Sequence, residues 1–205
     1  MGYSEEDGTL AVRIAREAVE AHVAARTLDA FSVPPHFDEK AGVFVTINQH
    51  PEGLLRGCIG YPSPFFPLIK ALVQAAEGAC EDPRFPPLGR EETDRVVVEV
   101  SLLTRPELIE VRKPKEYPRA IEIGTDGIIV AQGPARGLLL PQVPVEWAWG
   151  AEEFLAEGCM KAGLLPDAWL DESTRLYKFQ SEIFAELEPR GQIVRRNLRA
   201  EHARH

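Results

Sequence analysis

Apolar side chains recur at helical spacing over the first part of the chain. Ser4 and Asp7 stand three residues apart, which is the arrangement of a capping box at a helix start. The apolar stripe that follows consists of Leu10, Val12, Ile14, Ala18, Val19, Ala21 and Val23. This spacing predicts an amphipathic helix that runs to about Leu28 and packs one face on a sheet.

A β-hairpin is predicted after this helix. Val43 to Asn48 is rich in β-branched and aromatic side chains, and QHPEG over 49–53 supplies a turn. The second strand is Leu54 to Gly60, with the sequence LLRGCIG. A helix from about Pro67 to Cys80 follows, and Val96 to Leu103 alternates as a further strand of the same sheet.

The second half of the chain begins with a boundary rich in proline, lysine and glutamate, from Pro106 to Pro118. Short apolar runs separated by glycine-containing turns then predict a small meander, a helix and two late strands. They are Ile121 to Ile123, Ile128 to Ala131, Leu138 to Leu140, the helix Trp147 to Ala162, and the strands Tyr177 to Gln180 and Ile183 to Leu187. Because strands and helices do not alternate as regular βαβ units, the pattern favours an α+β fold.

The composition favours one globular domain, or one domain with a smaller lobe. With 205 residues and 44% hydrophobic content, the chain can bury a core of its own. It contains no run of about 18 apolar residues, so a membrane-spanning helix is not expected. The acidic start, MGYSEEDG, lacks a basic leader with an apolar core, which favours a cytoplasmic location.

The charge distribution argues against nucleic acid as a partner. The net charge is -9, and an acidic body repels the phosphate backbone. The exception is Arg190 to His205, which carries five arginines against the single acid Glu201. We interpret this tail first as a solvated, partly frayed terminus, and second as a weak contact for nucleic acid.

The cysteines and histidines form no metal or disulfide pattern. Cys58, Cys80 and Cys159 are widely separated and make no CxxC pair, so reduced thiols are expected. No HxxxH or HExxH motif occurs, and we therefore predict no metal site. The sequence identifies no cofactor.

The segment LLRGCIG carries the main candidate chemistry. In a strand, Arg56 and Cys58 project from one side and Gly57 from the other. A guanidinium beside a thiol favours the thiolate, which makes Cys58 a candidate nucleophile. Gly57 and Gly60 would let a ligand or another backbone approach closely. The alternative is a hairpin strand with a buried cysteine and a surface arginine.

An ordered series of motifs resembles the AMMECR family, named for the Alport syndrome, mental retardation, midface hypoplasia and elliptocytosis chromosomal region. The motifs span nearly the whole chain in the family's order. They are GVFVTI at Gly42 to Ile47, LLRGCIG, EDPRFPPL at Glu81 to Leu88, VSLLTRPE at Val100 to Glu107, GTDGI at Gly124 to Ile128, GLLLPQV at Gly137 to Val143, FL at Phe154 and Leu155, and YKFQ at Tyr177 to Gln180.

The resemblance implies a single domain of two lobes. The larger lobe, at about 1–105 and 165–205, would hold a mainly antiparallel sheet flanked by helices. The smaller, β-containing lobe would lie at about 106–164, with a cleft between the two, and clefts are common binding sites. Family members are often encoded with, or fused to, a Memo-type protein and a radical S-adenosylmethionine (radical SAM) enzyme. These two proteins are therefore the expected partners.

The motif EDPRFPPL places Asp82 and Arg84 two residues apart in a proline-rich loop. In one interpretation Pro83 ends the helix, Phe85 enters the core and Asp82 pairs with Arg84. In the other, Arg84 joins Arg56 to bind a small anionic group such as a carboxylate or phosphate. The sequence leaves both open.

Glu146 and Gln142 are further candidates, because the resemblance implies a proline near the start and a glutamate near the end of PQVPVE. Glu146 is a candidate acid or base, and Gln142 a candidate hydrogen-bond donor. The alternative is a helix-start acid beside tryptophans that only pack. Solvated helix starts are the expected role of Glu91, Glu92, Glu152 and Glu153.

Two functional hypotheses follow. The first is an enzyme or enzyme subunit whose interlobe cleft, lined by Arg56, Cys58, Asp82 and Arg84, acts on a small anionic or nucleotide-like substrate. The second is a non-catalytic binding or scaffold protein that presents the LRGCIG strand to Memo-type and radical SAM partners. A nucleophile needs a base, so the presence or absence of a base beside Cys58 separates the two.

Overall fold

The computed structural model describes residues 2–196, which form two compact units. The first unit comprises residues 2–103 and Glu182–Arg196, and the second comprises Thr104–Ser181. Both units combine helices with antiparallel strand pairs, so the predicted α+β class is confirmed.

Five helices and eight strands make up the described chain. The helices are α1 (Glu5–Val23), α2 (Leu68–Cys80), α3 (Tyr117–Ala120), α4 (Val143–Glu146) and α5 (Ala151–Lys161). The strands are β1 (Gly42–Gln49), β2 (Leu55–Tyr61), β3 (Val96–Leu103), β4 (Glu107–Leu108), β5 (Asp126–Gln132), β6 (Ala135–Leu139), β7 (Arg175–Glu186) and β8 (Ile193–Arg196). Short 3₁₀ turns lie at Pro35–Asp38, Arg90–Arg95, Pro114–Glu116 and Ala168–Leu170.

Helix α1 begins at the predicted capping box. The Ser4 hydroxyl accepts a hydrogen bond from the Asp7 N–H at 3.1 Å, and the Asp7 carboxylate accepts one from the Ser4 N–H at 2.9 Å. The helix ends at Val23, short of the predicted Leu28, because Ala25 adopts a left-handed conformation (φ 50°) that stops helical hydrogen bonding.

The predicted hairpin forms the edge of the first unit's sheet, in the strand order β2-β1-β3 followed by the end of β7. Val43, Val45 and Ile47 alternate with more exposed neighbours and are fully buried. They form one core cluster with side chains of α1, α2 and β3. The opposite face of the sheet carries Thr46 on β1, which pairs with Cys58 of β2 on one side and Glu99 of β3 on the other.

The second unit contains β4, β5 and β6 with the first part of β7. Helix α5 supplies Phe154, Leu155 and Cys159 to its core. Two predictions for this part need correction. Residues 121–123 are not a strand, and the predicted helix from Trp147 begins only at Ala151, because Ala148 takes a left-handed conformation (φ 55°) that separates α4 from α5.

The two late strands are a single strand, β7, that continues from the second unit into the first. Because Arg175–Gln180 pairs with β5, the second unit extends to Ser181, beyond the 106–164 predicted for the smaller lobe. The predicted division into lobes with a cleft between them stays a prediction.

We expected the arginine-rich tail to be a solvated, partly frayed terminus, and in the described residues 190–196 it packs on the first unit. Ile193–Arg196 forms β8 and pairs with β7. The described arginines bind carboxylates of the first unit: Arg190 binds Glu20 and Asp94, Arg195 binds Glu5 and Glu182, and Arg196 binds Glu99. Arg199 and Arg204 lie outside the described residues.

Candidate functional site

A β-bulge determines where Arg56 points. Ile47 pairs with Gly57 and Asn48 pairs with Leu55, so Arg56 is the extra residue of β2. A bulge breaks the strict alternation of side chains. The Arg56 side chain is 8% exposed, and its guanidinium donates to Glu92 Oε1 at 2.8 Å, to Glu92 Oε2 at 2.9 Å and to the Pro87 carbonyl at 3.3 Å.

The two glycines of LRGCIG are needed by the fold. A Cβ on Gly57 would lie 2.1 Å from the carbonyl oxygen of Ala79, in the last turn of α2. A Cβ on Gly60 would lie 2.3 Å from the ring of Phe44, on the neighbouring strand. The close approach predicted from these glycines is therefore made by the protein's own backbone at Gly57 and by an aromatic ring at Gly60.

Asp82 joins the second motif to the first. Its carboxylate is almost completely buried and accepts the Cys58 N–H at 2.9 Å, which is an outward-facing donor of the edge strand β2. It also accepts the Arg84 N–H at 3.0 Å and the Arg84 guanidinium at 3.0 and 2.6 Å. The hydrogen bonds from Arg84 hold the pKa of Asp82 far below its ordinary value, against the opposing effect of burial.

Both arginines contact one aromatic ring. The Arg56 and Arg84 guanidinium carbons lie 5.9 and 5.6 Å from the centroid of the half-buried Phe85 ring. Each guanidinium has its own carboxylate partner, Glu92 for Arg56 and Asp82 for Arg84. The local interpretation of EDPRFPPL, with Asp82 paired to Arg84, is confirmed, and Phe85 supports the two arginines instead of entering the core cluster.

The Cys58 thiol is partly exposed and lies on the sheet face opposite the helices. It accepts a hydrogen bond from the Thr46 hydroxyl at 3.3 Å. Burial raises the pKa of Cys58, while the Thr46 hydrogen bond and the charge of Arg84 act in the opposite direction. The predicted activation of this thiol by Arg56 is therefore wrong, because the bulge directs Arg56 to Glu92, and the nearby cation is Arg84.

Known proteins match this sequence over nearly the full length of the chain. The AMMECR1 family model matches residues 12–184. The chain belongs to the AMMECR1 family. Protein MJ0810 of Methanocaldococcus jannaschii is 53% identical over 194 residues, which cover 94% of this chain and 96% of that protein. Protein PH0010 of Pyrococcus horikoshii is 54% identical over 200 residues, which cover 95% and 97%.

A solved structure agrees with this membership. The crystal structure of the uncharacterized protein PH0010 from Pyrococcus horikoshii matches with a TM-score of 0.85 at 53% identity, covering 95% of this chain and 98% of that one. The resemblance inferred from the motifs is thus confirmed as AMMECR1 membership. The names of these relatives assign no reaction, so any function must be inferred from the side-chain contacts of this chain.

The two remaining candidates of this AMMECR1-family chain lie in the second unit. Glu146 is exposed and is the acidic residue of the single turn of α4, as the helix-start interpretation expected. The Gln142 Oε1 is buried and has no hydrogen-bond partner within residues 2–196, so the structure leaves its predicted role as a donor untested. Whether these two side chains act together with Cys58 stays a prediction.

Sequence reasoning missed three residues beside Cys58 and Arg56. Glu92 was expected to be solvated, but it binds Arg56 and also caps the Gly89 N–H at 2.7 Å. Thr46 and Glu99 belong to neighbouring strands, and both affect the pKa of Cys58. One signal in the sequence could have identified them. Glu99 alternates with the core residues of its strand and so faces away from the core, and the strand register then places Thr46 and Cys58 on the same face.

Two other features were sought among the described residues, a metal site and a membrane-spanning helix. Among residues 2–196, no three histidine, cysteine, aspartate or glutamate side chains are grouped so as to hold a metal ion. None of the helices described is both long enough and apolar enough to cross a membrane.

Cys58 is expected to alkylate faster than Cys80 and Cys159, since it alone of the three is partly exposed. Burial raises the pKa of Cys80 to about 12. Because the pKa of Cys58 is also raised, its rate should still be climbing at pH 9, at about tenfold per pH unit, as expected for a thiolate nucleophile. Competitive iodoacetamide labelling with mass-spectrometric readout between pH 7 and 9.5 measures this.

The variant Arg84→Gln should slow the labelling of Cys58 at fixed pH, because the arginine lowers the pKa of that thiol. Arg90→Gln, an exposed arginine outside this contact, is the matched control. A Cys58 rate that levels off near pH 7 would contradict the raised pKa and reopen the nucleophile hypothesis.

Proposed function

We propose that this protein is a non-catalytic binding protein of the AMMECR1 family, which presents the edge strand β2 and its flanking loops to partner proteins. The observation that carries this proposal is the internal pairing of the charges in the two motifs. Arg56 binds Glu92, and Asp82 binds both Arg84 and the Cys58 N–H. The side chains expected to hold a substrate are therefore paired with one another, and two of these contacts connect β2 to the loop at 81–92.

The state of the thiol supports the same conclusion. The groups that affect the pKa of Cys58 are Thr46, Arg84, Asp82 and Glu99, and none of them is a histidine. Glu99 already binds Arg196. A nucleophilic cysteine is usually activated by a base or by a lowered pKa, and the structure supports neither at Cys58.

Exposed apolar side chains lie at both ends of β2. Leu54 and Leu55 at its start are 60% and 39% exposed, and Phe65, in the loop that follows, is 71% exposed. Exposed aliphatic and aromatic side chains beside a sheet edge are typical of surfaces that dock another protein. From the family resemblance, we propose a Memo-type protein and a radical SAM enzyme as the partners.

Catalysis is the second candidate function, and one observation favours it. The Arg84 side chain is 56% exposed although it is paired, and both Arg84 and Thr46 lower the pKa of a partly exposed thiol. A small anionic substrate that displaces Asp82 from Arg84 would reach Cys58 through this exposed side. In this hypothesis Cys58 is the nucleophile.

Binding of purified partners tests the proposal. The protein is mixed separately with a purified Memo-type protein and a purified radical SAM enzyme, and complex formation is followed by size-exclusion chromatography and calorimetry. We expect a complex with at least one of them. The double variant Leu54→Ser and Phe65→Ser should weaken it by about tenfold or more, since it removes central apolar contacts.

Two controls separate the alternatives. Leu187→Ser changes a leucine of similar exposure, 56%, outside this surface, and should leave binding unchanged. Cys58→Ala should also bind as the wild type does. If neither partner binds, or if Cys58→Ala abolishes a conversion that the wild type performs on the partner's small-molecule substrate, the enzyme hypothesis replaces the scaffold.

A further inference from the structure

A pair of tryptophans in the second unit is held by a tight turn at the end of α4. The Ala148 N–H donates to the Val145 carbonyl at 3.2 Å, and the Trp149 N–H donates to the Pro144 carbonyl at 2.8 Å. These two bonds make a Schellman motif, in which the residue with positive φ is usually glycine. Here it is Ala148, at φ 55°, so the chain accepts a strained conformation at this point.

The turn stacks one tryptophan on the other. The ring centroids of Trp147 and Trp149 are 6.0 Å apart, and the rings are inclined by 17°. Trp149 is half-buried and packs on the core of the second unit, whereas Trp147 is 68% exposed. One indole therefore anchors the pair, and the other presents its outer face to solvent.

Between Arg136 and Lys161, the charged residues that flank this pair in the sequence are all acidic. Residues 137–160 contain four glutamates, Glu146, Glu152, Glu153 and Glu157, and no lysine, arginine or aspartate. Glu146, adjacent to Trp147, and Glu152, in the first turn of α5, are exposed. Tryptophan is the aromatic side chain that attracts cations most strongly through its face, and nearby carboxylates strengthen that attraction.

We infer that the Trp147–Trp149 pair is a binding site for a basic peptide segment of a partner protein, with an arginine or lysine laid over the exposed face of Trp147. The carboxylates of Glu146 and Glu152 bind neighbouring basic side chains of the same segment. This site belongs to the second unit and does not depend on the proposed role of β2, which lies in the first.

A charge-neutral substitution tests the inference directly. A fluorescein-labelled hexa-arginine peptide is titrated with the full chain at about 0.15 M salt, which screens non-specific attraction to the acidic body, and fluorescence anisotropy is recorded. Trp147→Ala should weaken binding about threefold to fivefold, the loss expected for a partly exposed cation–π contact. Its side chain is exposed, so the variant should fold normally, which circular dichroism verifies.

Leu165→Ala is the matched control. Leu165 is 73% exposed, similar to Trp147, and it also lies in the second unit, but its aliphatic side chain has no face that attracts cations. This variant should bind as the wild type does, and Ala148→Gly, which permits the same turn without strain, should do so too. The inference is overturned if Trp147→Ala binds as tightly as the wild type, or if Leu165→Ala loses as much. A hexa-proline peptide that binds as well as hexa-arginine would also overturn it.

Discussion

Replacing Glu186 with glutamine is expected to lower the free energy of unfolding by about 3–5 kcal/mol, the usual effect of leaving one partner of a buried ion pair alone. Glu186 is 5% exposed and binds the Arg16 guanidinium through both carboxylate oxygens. It also accepts the Val98 N–H at 2.9 Å. The glutamine variant removes the closest carboxylate of the buried Arg16 and leaves Glu20, at 4.0 Å, as its ion-pair partner. Chemical denaturation measures the loss.

The control for this prediction is an exposed ion pair between Glu17, on the same helix as Arg16, and Arg26, just after that helix. Glu17 binds Arg26, and both side chains are more than a third exposed, so Glu17→Gln should change stability by less than about 1 kcal/mol. A double replacement of Arg16 and Glu186 by methionine and leucine should recover part of the loss, because it removes both buried charges. A Glu186→Gln variant as stable as the wild type would show that the pair contributes nothing.

Local features of the fold could be predicted from the sequence because their causes lie within a few residues. The Ser4–Asp7 capping box and the strand Val96–Leu103 are of this kind. The Glu186–Arg16 pair joins residues that are 170 positions apart, and a single sequence contains no signal for such a contact. The same holds for Arg190, which binds Glu20 and Asp94, and for the contact of Arg195 with Glu5.

For the candidate site, the sequence predicted that the two motifs meet but not the contacts by which they do so. The two motifs do meet, through the Asp82 carboxylate and the Cys58 N–H. The direction of Arg56 could not be predicted, because one extra residue in β2 changes the face of its side chain, and the partner Glu92 lies 36 residues along the chain. Sequence patterns give the period of a strand but not the position of a bulge.

The two motifs of the first unit act as one structural connection. Gly57 admits the last turn of α2, Asp82 caps the edge strand at Cys58, and Arg56 reaches Glu92 in the turn at Arg90–Arg95. Each contact fixes the same short stretch of β2 against a different neighbour. This explains the arginine and the glycine of the motif without requiring that they form a catalytic group, and it makes Gly57 the most sensitive position.

The variant Gly57→Ala is expected to destabilise the protein by about 3 kcal/mol or more, at the upper end of overpacking effects. The new Cβ would stand 2.1 Å from the Ala79 carbonyl oxygen, and a backbone atom of a packed helix cannot move aside as a flexible side chain can. The end of α2 must therefore shift away from β2. Thermal and chemical unfolding measure the loss, and faster alkylation of Cys58 reports the opened contact.

Gly78→Ala is the matched control at the same interface between α2 and β2. Its Cβ would meet a methyl group of Ile59 at 3.0 Å, which is a side chain that can rotate, and alanine favours a helix interior over glycine by about 1 kcal/mol. We expect this variant to stay within about 1 kcal/mol of the wild type. If Gly57→Ala were equally mild while partner binding or a Cys58-dependent reaction failed, Gly57 would serve a ligand, because its effect would then arise without a loss of packing.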